Sequence, residues 1–300
     1  MKEAPRQEFG ELSFSTDQKR YLTHLRRIAP LAIDRGMPQY RFFRFSSDAE
    51  ENTVRAALID RRFRFSPPRL FNDPFDSRPH LRLAHPFKWL GRLRYRVATE
   101  SYVREQFRDD PSKQEQARSE LANHSPETLI RQSEDRVRGT LLDSQLMLCL
   151  AANRASLQMW AYYADRQRGV CVHLSPTIWP VAAALRITYG SRYPSVPLPF
   201  DKNRLVREFS LRKSRAWKHE LEYRIIVQSD DPDRFALDWI DRCTAVFPPG
   251  AVTGVTVGCM MDGPKKQRIS EYASAITPSL PVYQAVAQRN RFELHFEQVG

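Results

Sequence analysis

The sequence predicts one α+β domain built on a mostly antiparallel sheet, and three observations support this fold class. Short β-branched and aromatic runs recur along most of the chain, with helical segments scattered between them rather than alternating regularly. The chain has no glycine-rich dinucleotide fingerprint, P-loop or internal repeat. Its hydrophobic content of 41% over 300 residues is sufficient for a sizeable core.

The elements follow from local patterns. Residues 1–38 are polar and mixed in charge, and they predict an N-terminal extension with one helix beginning near Tyr21. The domain itself is predicted to span residues 39–298. Residues from about 85 to 140 are charged and rich in helix formers, which indicates an inserted, peripheral helical segment. Strands are predicted near residues 40–45, 62–66, 145–150, 169–174, 187–189, 221–228, 252–258, 282–287 and 291–297.

Composition narrows the possible partners. The net charge of +12 comes mainly from arginine, because only nine of the 47 basic residues are lysine. The planar guanidinium suits phosphate, so nucleic acid or another polyanion is a predicted partner. The coding bias of a GC-rich genome explains the same excess equally well. The four cysteines are widely spaced, the N-terminus has no apolar signal region, and no run reaches membrane-spanning length. We therefore expect a cytoplasmic protein without a membrane partner.

The segment Lys213–Gln228 has the densest polar pattern. Glu220, Glu222 and Arg224 stand at every second position before an Ile-Ile-Val run, which predicts a strand with the three side chains in one row. Such a row either blunts an exposed edge strand or lines a site. In the second case Arg224 offsets one carboxylate and leaves the other, preferably Glu222, for a substrate.

Several motifs resemble the domain-of-unknown-function 2971 family over roughly residues 40–296. They are the aromatic–basic–aromatic strand Phe43–Phe45, the segment Phe63–Asp76 that ends in Phe-Asn-Asp-Pro-Phe-Asp, Met159–Asp165, Arg168–Cys171, Lys213–Trp217, Glu220–Arg224 and Val255–Cys259. The sequence departs from the family at Arg44, where lysine is usual, and at Leu150, where a Phe-Ser pair usually follows the cysteine.

The order of these parts also resembles that of ADP-ribosyltransferases, which begin with a strand bearing a basic residue and end the site with a glutamate on a late strand. This resemblance implies a split, mostly antiparallel sheet, with NAD as the substrate that supplies ADP-ribose, and a toxin or phage-defence role on nucleic acid or protein. A fixed carboxylate would stabilise the oxocarbenium-like ribose. The implied catalytic residues are Glu222, Glu220 and Arg44. The implied cofactor-binding residues are Arg44, Asn72, Asp76, Tyr163, Trp160 and Arg224.

Each of these residues also has a structural interpretation. Trp160 lies on an apolar helix stripe and is more typical of a core residue than of a stacking platform. Asn72 and Asp76 flank Pro74 in a turn, where such residues cap the backbone. Arg224 can pair with a glutamate purely for stability. His80 and His85 near Asp76 have no common ligand spacing, so no metal is predicted.

The sequence leaves two other functions open. Basic residues interleaved with an aromatic, as in Arg92–Arg96, are compatible with a nucleic-acid-binding or nuclease-like protein. A non-catalytic sensor that binds a partner or a small anion is also consistent with the sequence.

Overall fold

A computed structural model describes residues 14–83, 88–198, 202–229 and 235–299. The chain divides into two compact units: the first comprises residues up to 67, 145–187 and 216 onward, and the second comprises residues 68–144 and 188–215. The α-helices are α1 (Thr16–Arg26), α2 (Asp48–Leu58), α3 (Lys88–Gln106), α4 (Pro111–Asn123), α5 (Pro126–Asp143), α6 (Leu157–Tyr163), α7 (Lys202–Ser210) and α8 (Gly263–Ser274).

The strands are β1 (Gln39–Phe43), β2 (Arg62–Arg64), β3 (His80–Leu83), β4 (Gln145–Ala151), β5 (Val170–Leu174), β6 (Leu185–Arg186), β7 (Thr188–Gly190), β8 (Ser195–Leu198), β9 (Arg212–Ser214), β10 (Glu222–Gln228), β11 (Asp238–Trp239), β12 (Thr244–Val246), β13 (Val252–Val257), β14 (Val282–Ala287) and β15 (Leu294–Gln298). Short 3-10 helices cover Ile33–Arg35, Pro68–Leu70, Val181–Ala183 and Arg215–Glu220.

The first unit is built on an eight-stranded sheet in the order β15-β14-β13-β5-β1-β4-β10-β6. Its strand pairs are antiparallel except for β13 and β14, which run parallel and are joined through α8. The prediction of mixed α and β structure around a mostly antiparallel sheet is therefore confirmed. The predicted strands near 145–150, 169–174, 221–228, 252–258 and 282–287 all belong to this sheet.

Apolar side chains of the central strands pack against α6. Trp160 is fully buried and meets Phe42 edge to face, with ring centroids 5.2 Å apart. Val170, Cys171 and Val172 in β5 are also fully buried, because this strand lies between β13 and β1. The structure confirms the prediction that these four residues belong to the core.

The pairing between the central strands β1 and β4 is short. Five residues of β1 pair with β5, whereas Tyr40↔Ala151 is the pair that joins β1 to β4. Next to that pair, Nη1 of Arg41 donates a hydrogen bond of 2.7 Å to the carbonyl of Cys149. An arginine side chain thus satisfies a carbonyl of the central strand β4, which is a role usually taken by ladder hydrogen bonds.

Two glycines permit close backbone contacts at the ends of β5 and β13. A Cβ atom on Gly169 would lie 2.1 Å from the carbonyl oxygen of Phe43, and one on Gly258 would lie 2.1 Å from the carbonyl oxygen of Gln167. Both glycines lie in motifs that carry the family resemblance. Packing alone therefore explains why those motifs need glycine at these positions.

A smaller sheet of the first unit has the order β11-β12-β2. Phe63 of β2 packs on Phe247 with ring centroids 4.6 Å apart. The strand predicted at 62–66 is shorter than expected, since β2 ends at Arg64 and Ser66 makes a separate bridge to Met147. In the predicted N-terminal extension, α1 buries Leu22 and Leu25.

The second unit contains the long helical segment. Its helices α3, α4 and α5 confirm the prediction of helical structure for the described residues of 85–140. The segment does not stand alone, because residues 188–215 add strands to it: β3 pairs in parallel with β8, and β7 in parallel with β9. Leu81, Ile130 and Val196 form its apolar core. The sequence did not predict these parallel pairs, except for a strand near 187–189.

Candidate active site

The start of β10 has a backbone different from the predicted continuous strand. Glu220 is the last residue of a 3-10 helix, Leu221 has a φ of 45°, and the strand begins at Glu222. A positive φ is costly for a bulky residue, and such outliers are concentrated at functional sites. The prediction that Glu220 stands in the same strand row as Glu222 and Arg224 is therefore wrong. The positive φ of Leu221 separates the 3-10 helix that ends at Glu220 from the strand that begins at Glu222.

Glu222 and Arg224 form a buried, two-pronged ion pair. Nε of Arg224 lies 2.7 Å from Oε1 of Glu222, and Nη2 lies 3.2 Å from Oε2. Arg224 has no exposed surface and Glu222 is 4% exposed. The alternative of an exposed, charge-blunted edge strand is thus wrong, since β10 lies between β4 and β6. Arg224 thus offsets the charge of Glu222, the carboxylate that the sequence favoured for a substrate, and the role of Glu222 toward a substrate stays a prediction.

Glu220 is held by Tyr163, the last residue of α6. The phenolic hydroxyl donates to Oε1 of Glu220 across 2.7 Å, and the carboxylate side chain is 4% exposed. Ser156 caps the start of α6 and also donates to the carbonyl of His219, at 3.3 Å. The helix is therefore tied at both ends to the segment that carries Glu220. The structure brings two predicted site residues together here.

The sequence did not point to Cys149 as a neighbour of this site. Cys149 stands opposite Arg224 in the β4–β10 register. Burial raises the pKa of its thiol, and the negative charge of Glu222 raises the pKa further. Because the thiolate is the reactive form, this burial disfavours Cys149 as a nucleophile. The sequence of Gln145–Leu150 predicts that Cys149 lies in a strand. Its position opposite Arg224 follows only from the pairing of β4 with β10.

Two other predicted residues have different surroundings. The ring of Trp160 is fully buried in the core, so no face of the indole is open to a nicotinamide in this structure. Arg44 follows the end of β1 and pairs with Glu50 at 3.0 Å, with 62% of its side chain exposed. It lies roughly 13 Å along the strand direction from Tyr40, which is in the same register row as Glu222.

The predicted turn residues Asn72 and Asp76 belong to the second unit. Asp76 lies 3.6 Å from Nζ of Lys213, and both side chains are buried. Ser77 donates to the Asp76 carboxylate across 3.0 Å, whereas Asn72 is exposed. Asp73 accepts a hydrogen bond from the backbone nitrogen of Phe75, which is the turn-stabilising role expected for an Asx residue. Two motifs of the family resemblance thus meet in a buried Asp–Lys pair.

No cluster of three or more metal-ligating side chains occurs among the described residues. Nδ1 of His80 lies 3.0 Å from Oε1 of Glu134, which gives His80 a carboxylate partner in the second unit. His85, the other histidine considered for a metal, lies outside the described residues. Within the part of the chain that the structure describes, no helix is long and apolar enough to cross a membrane.

One cavity of about 630 Å³ lies in the first unit beside α1. Its lining is Phe14, Gln18, Arg61, Thr177, Ile178, Trp179, Ala236, Leu237, Asp238, Val246, Phe247, Pro248 and Pro249. None of the predicted site residues lines it. The volume is large enough for a small ligand, but the chemistry of the candidate site lies at the start of β10.

Comparisons with known proteins add no relatives. No protein-family model, no curated protein and no solved structure matches this chain. The resemblances to the domain-of-unknown-function 2971 family and to ADP-ribosyltransferases therefore stay predictions from the sequence.

Proposed function

We propose that this protein is an NAD-dependent ADP-ribosyltransferase-like enzyme whose working carboxylate is Glu220. The observation that carries the proposal is the pair of buried carboxylates at the start of β10, each with a fixed partner. Burying a carboxylate costs several kcal/mol unless partners compensate it, and strongly polar buried clusters are typical of functional sites. Glu220, which precedes β10, and Glu222, its first residue, are both 4% exposed.

The partners give the two carboxylates different roles. The guanidinium of Arg224 offsets the negative charge of Glu222 through two contacts. The hydroxyl of Tyr163 donates to Glu220 and fixes the position of its carboxylate. A fixed negative charge is what stabilises a developing positive charge. We therefore assign the stabilisation of the developing positive charge to Glu220. We assign a structural role to the Glu222–Arg224 pair, which stabilises the start of β10 after Leu221.

The proposed reaction transfers ADP-ribose from NAD to an acceptor. The bond between ribose C1′ and the nicotinamide nitrogen breaks, and its electron pair leaves with neutral nicotinamide. The oxocarbenium-like ribose lies against the Glu220 carboxylate until an oxygen or nitrogen of the acceptor bonds to C1′ and releases a proton. The carboxylate thus plays the electrostatic role that glycosidases give to one of their acidic residues.

The sheet offers a second line of support. Transferases of this class have a split sheet, and here the pairing of β1 with β4 is reduced to Tyr40↔Ala151. Glu222 pairs with the same Ala151 on the other side of β4, so Glu222 lies in the row of the sheet that holds this β1–β4 pair. The split-sheet similarity remains part of the proposal.

The test uses NAD labelled separately in the nicotinamide ring and in the adenylate phosphate. Purified protein incubated with lysate protein, RNA or DNA is expected to release nicotinamide and to transfer the phosphate label. Glu220→Gln should lower both by about 10²-fold or more. Glu293→Gln, an exposed residue of the same unit, is the matched control and should retain activity. No nicotinamide release by the wild-type protein with any acceptor would overturn the proposal.

A second candidate is nucleic-acid binding, and one feature of the second unit favours it. Helix α3 exposes Arg92, Arg94 and Arg96, together with the indole of Trp89, which is 67% exposed. Arginines track phosphates and aromatic rings stack on bases. If α3 binds nucleic acid, the affinity for single-stranded RNA or DNA should fall steeply with salt, and Arg94→Gln with Arg96→Gln should reduce the salt slope by about two. A flat salt dependence would contradict this candidate.

A further inference from the structure

Arg154 lies on a patch of aromatic side chains in the first unit. Its guanidinium carbon is 4.2 Å from the ring centroid of Phe296 and 4.9 Å from that of Tyr283. These rings come from the hairpin of β14 and β15, whereas Arg154 follows β4. Contacts of this length are typical of cation–π interactions, and they hold the planar guanidinium in one orientation.

The backbone around Arg154 is also fixed. The indole nitrogen of Trp160 donates to the carbonyl oxygen of Arg154 across 2.6 Å. The side chain of Asn153 accepts a hydrogen bond of 2.8 Å from the backbone nitrogen of Ala155. The guanidinium is therefore preorganised by the core on one side and by the hairpin on the other, which lowers the cost of binding a ligand.

Arg154 makes no ion pair with a carboxylate among the residues that the structure describes, although its side chain is partly buried. By contrast, the fully buried Arg224 pairs with Glu222, and the partly buried Arg41 donates to the carbonyl of Cys149. The rings of Tyr283 and Phe296 contact the face of the guanidinium. These ring contacts supply no hydrogen-bond acceptor for the N–H groups at its edge. A partly buried cation with an open donor edge is a site for an anion.

The neighbours of Arg154 are neutral hydrogen-bonding groups. Tyr40 stands edge to face with His173, and His173 stacks on Tyr283. Burial raises the pKa of the Tyr40 phenol, and the charge of Arg154 opposes that rise. Burial, together with the charge of Arg154, lowers the pKa of His173 to about 3. The patch therefore combines the guanidinium of Arg154 with the phenolic hydroxyls of Tyr40 and Tyr283, and a phenolic hydroxyl can donate a hydrogen bond.

From this arrangement we propose that Arg154, together with the hydroxyls of Tyr40 and Tyr283, binds a phosphate group. A guanidinium fork matches two phosphate oxygens, and a phenolic hydroxyl can donate to a third. The inference does not require the transferase activity proposed above, because it concerns binding alone. Tyr40 nevertheless lies two strands from Glu222 through Ala151, a separation of about 10 Å, so a bound phosphate ester would have its sugar within reach of the candidate site.

The experiment measures the binding of inorganic phosphate, AMP and ADP-ribose by calorimetry. Adenosine and acetate, which contain no phosphate, are the control compounds. We expect the phosphate-bearing probes to bind and adenosine and acetate not to bind. Arg154→Gln should weaken binding by about tenfold to a hundredfold, the loss typical of a charge-assisted contact. Arg289→Gln, an exposed arginine between β14 and β15, is the matched control and should leave the affinity within twofold.

A second variant guards against misfolding of the arginine variant. Tyr40→Phe keeps the ring and its packing, and it should weaken phosphate binding severalfold while the circular dichroism spectrum stays unchanged. Phenylglyoxal modification of the wild-type protein gives an independent readout, because bound ADP-ribose should protect Arg154 but not Arg289. Absence of binding, binding unaffected in both Arg154→Gln and Tyr40→Phe, or equal modification of Arg154 with and without ligand would overturn the inference.

Discussion

Tyr163 and Glu220 are 57 residues apart in sequence, yet the phenolic hydroxyl of one lies 2.7 Å from the carboxylate of the other. The contact ties the end of α6 to the last residue before the strained Leu221. Since Glu220 is 4% exposed, its hydrogen bonds come from the protein rather than from bulk water. Removing this hydroxyl is the mildest way to disturb the candidate site.

Tyr163→Phe should destabilise the protein by about 1–3 kcal/mol, because it leaves a buried carboxylate oxygen without this donor. Tyr162→Phe is the control at the neighbouring position. The side chain of Tyr162 is 65% exposed, so water can hydrogen-bond to any group that loses the hydroxyl as a partner. Denaturant unfolding of the three proteins measures the difference. Equal free energies of unfolding for the two variants would show that the Tyr163 contact contributes nothing to the fold.

The Glu222–Arg224 pair should behave as one unit. Arg224→Met is expected to cost about 3–5 kcal/mol, because it leaves Glu222 buried without its cation. Combining it with Glu222→Gln should cost less than the sum of the single changes. The exposed Arg44–Glu50 pair is the comparison, and its coupling energy should be below about 1 kcal/mol. Additive losses at Glu222 and Arg224 in a double-mutant cycle would contradict the prediction.

Local patterns predicted most of the elements in the first unit, because buried strands such as Val170–Leu174 and Val252–Val257 are rich in β-branched residues. The period-2 spacing of Glu220, Glu222 and Arg224 was misleading at one position. A positive φ at Leu221 interrupts the strand there, and a leucine gives no sequence signal for that conformation. Pairings such as Tyr163 with Glu220 depend on chain topology, which spacing within a segment does not encode.

In the second unit the sequence predicted the helices but missed β3 and β8. Both strands are only four residues long, and β8 contains Pro197, which argues against a strand unless it has a single ladder partner. Arg154 was missed for a related reason. Its partners Tyr283 and Phe296 lie far along the chain, and an isolated arginine after a strand is not a motif.

His173 should make the stability of the protein depend on pH. Its pKa is lowered from 6.5 to about 3 in the folded protein, chiefly by burial. Between these two values the unfolded chain binds a proton that the native protein does not, so stability is full above about pH 6.5 and is lost as the pH falls toward 3. The expected loss is about 1.4 kcal/mol for each pH unit within that range.

His173→Gln removes the titrating group while its amide can still bond to Thr256, the partner of the imidazole at 2.8 Å. Chemical unfolding measured from pH 4 to 8 should show a shallower acid limb in the variant than in the wild-type protein. Above pH 7 the two curves should run parallel, which serves as the internal control. Identical slopes from pH 4 to 6 would indicate that His173 is protonated in the native protein.

Gly169 should tolerate no side chain, even though it lies in a motif that resembles a functional family signature. A Cβ atom there would approach the Phe43 carbonyl oxygen to 2.1 Å and two backbone atoms of Ala164 to 2.9 Å, and backbone cannot move aside as a flexible side chain can. Gly169→Ala is therefore expected to cost about 1–3 kcal/mol or more in the free energy of unfolding. Gly139→Ala is the matched control, because a Cβ on Gly139 of α5 meets nothing within 4 Å and alanine favours a helix interior by about 0.5–1 kcal/mol. The two alanine variants should thus shift the denaturation midpoint in opposite directions. A Gly169→Ala protein as stable as the wild type would mean that the motif is kept for a reason other than packing, and its role in the candidate site would then need a direct test.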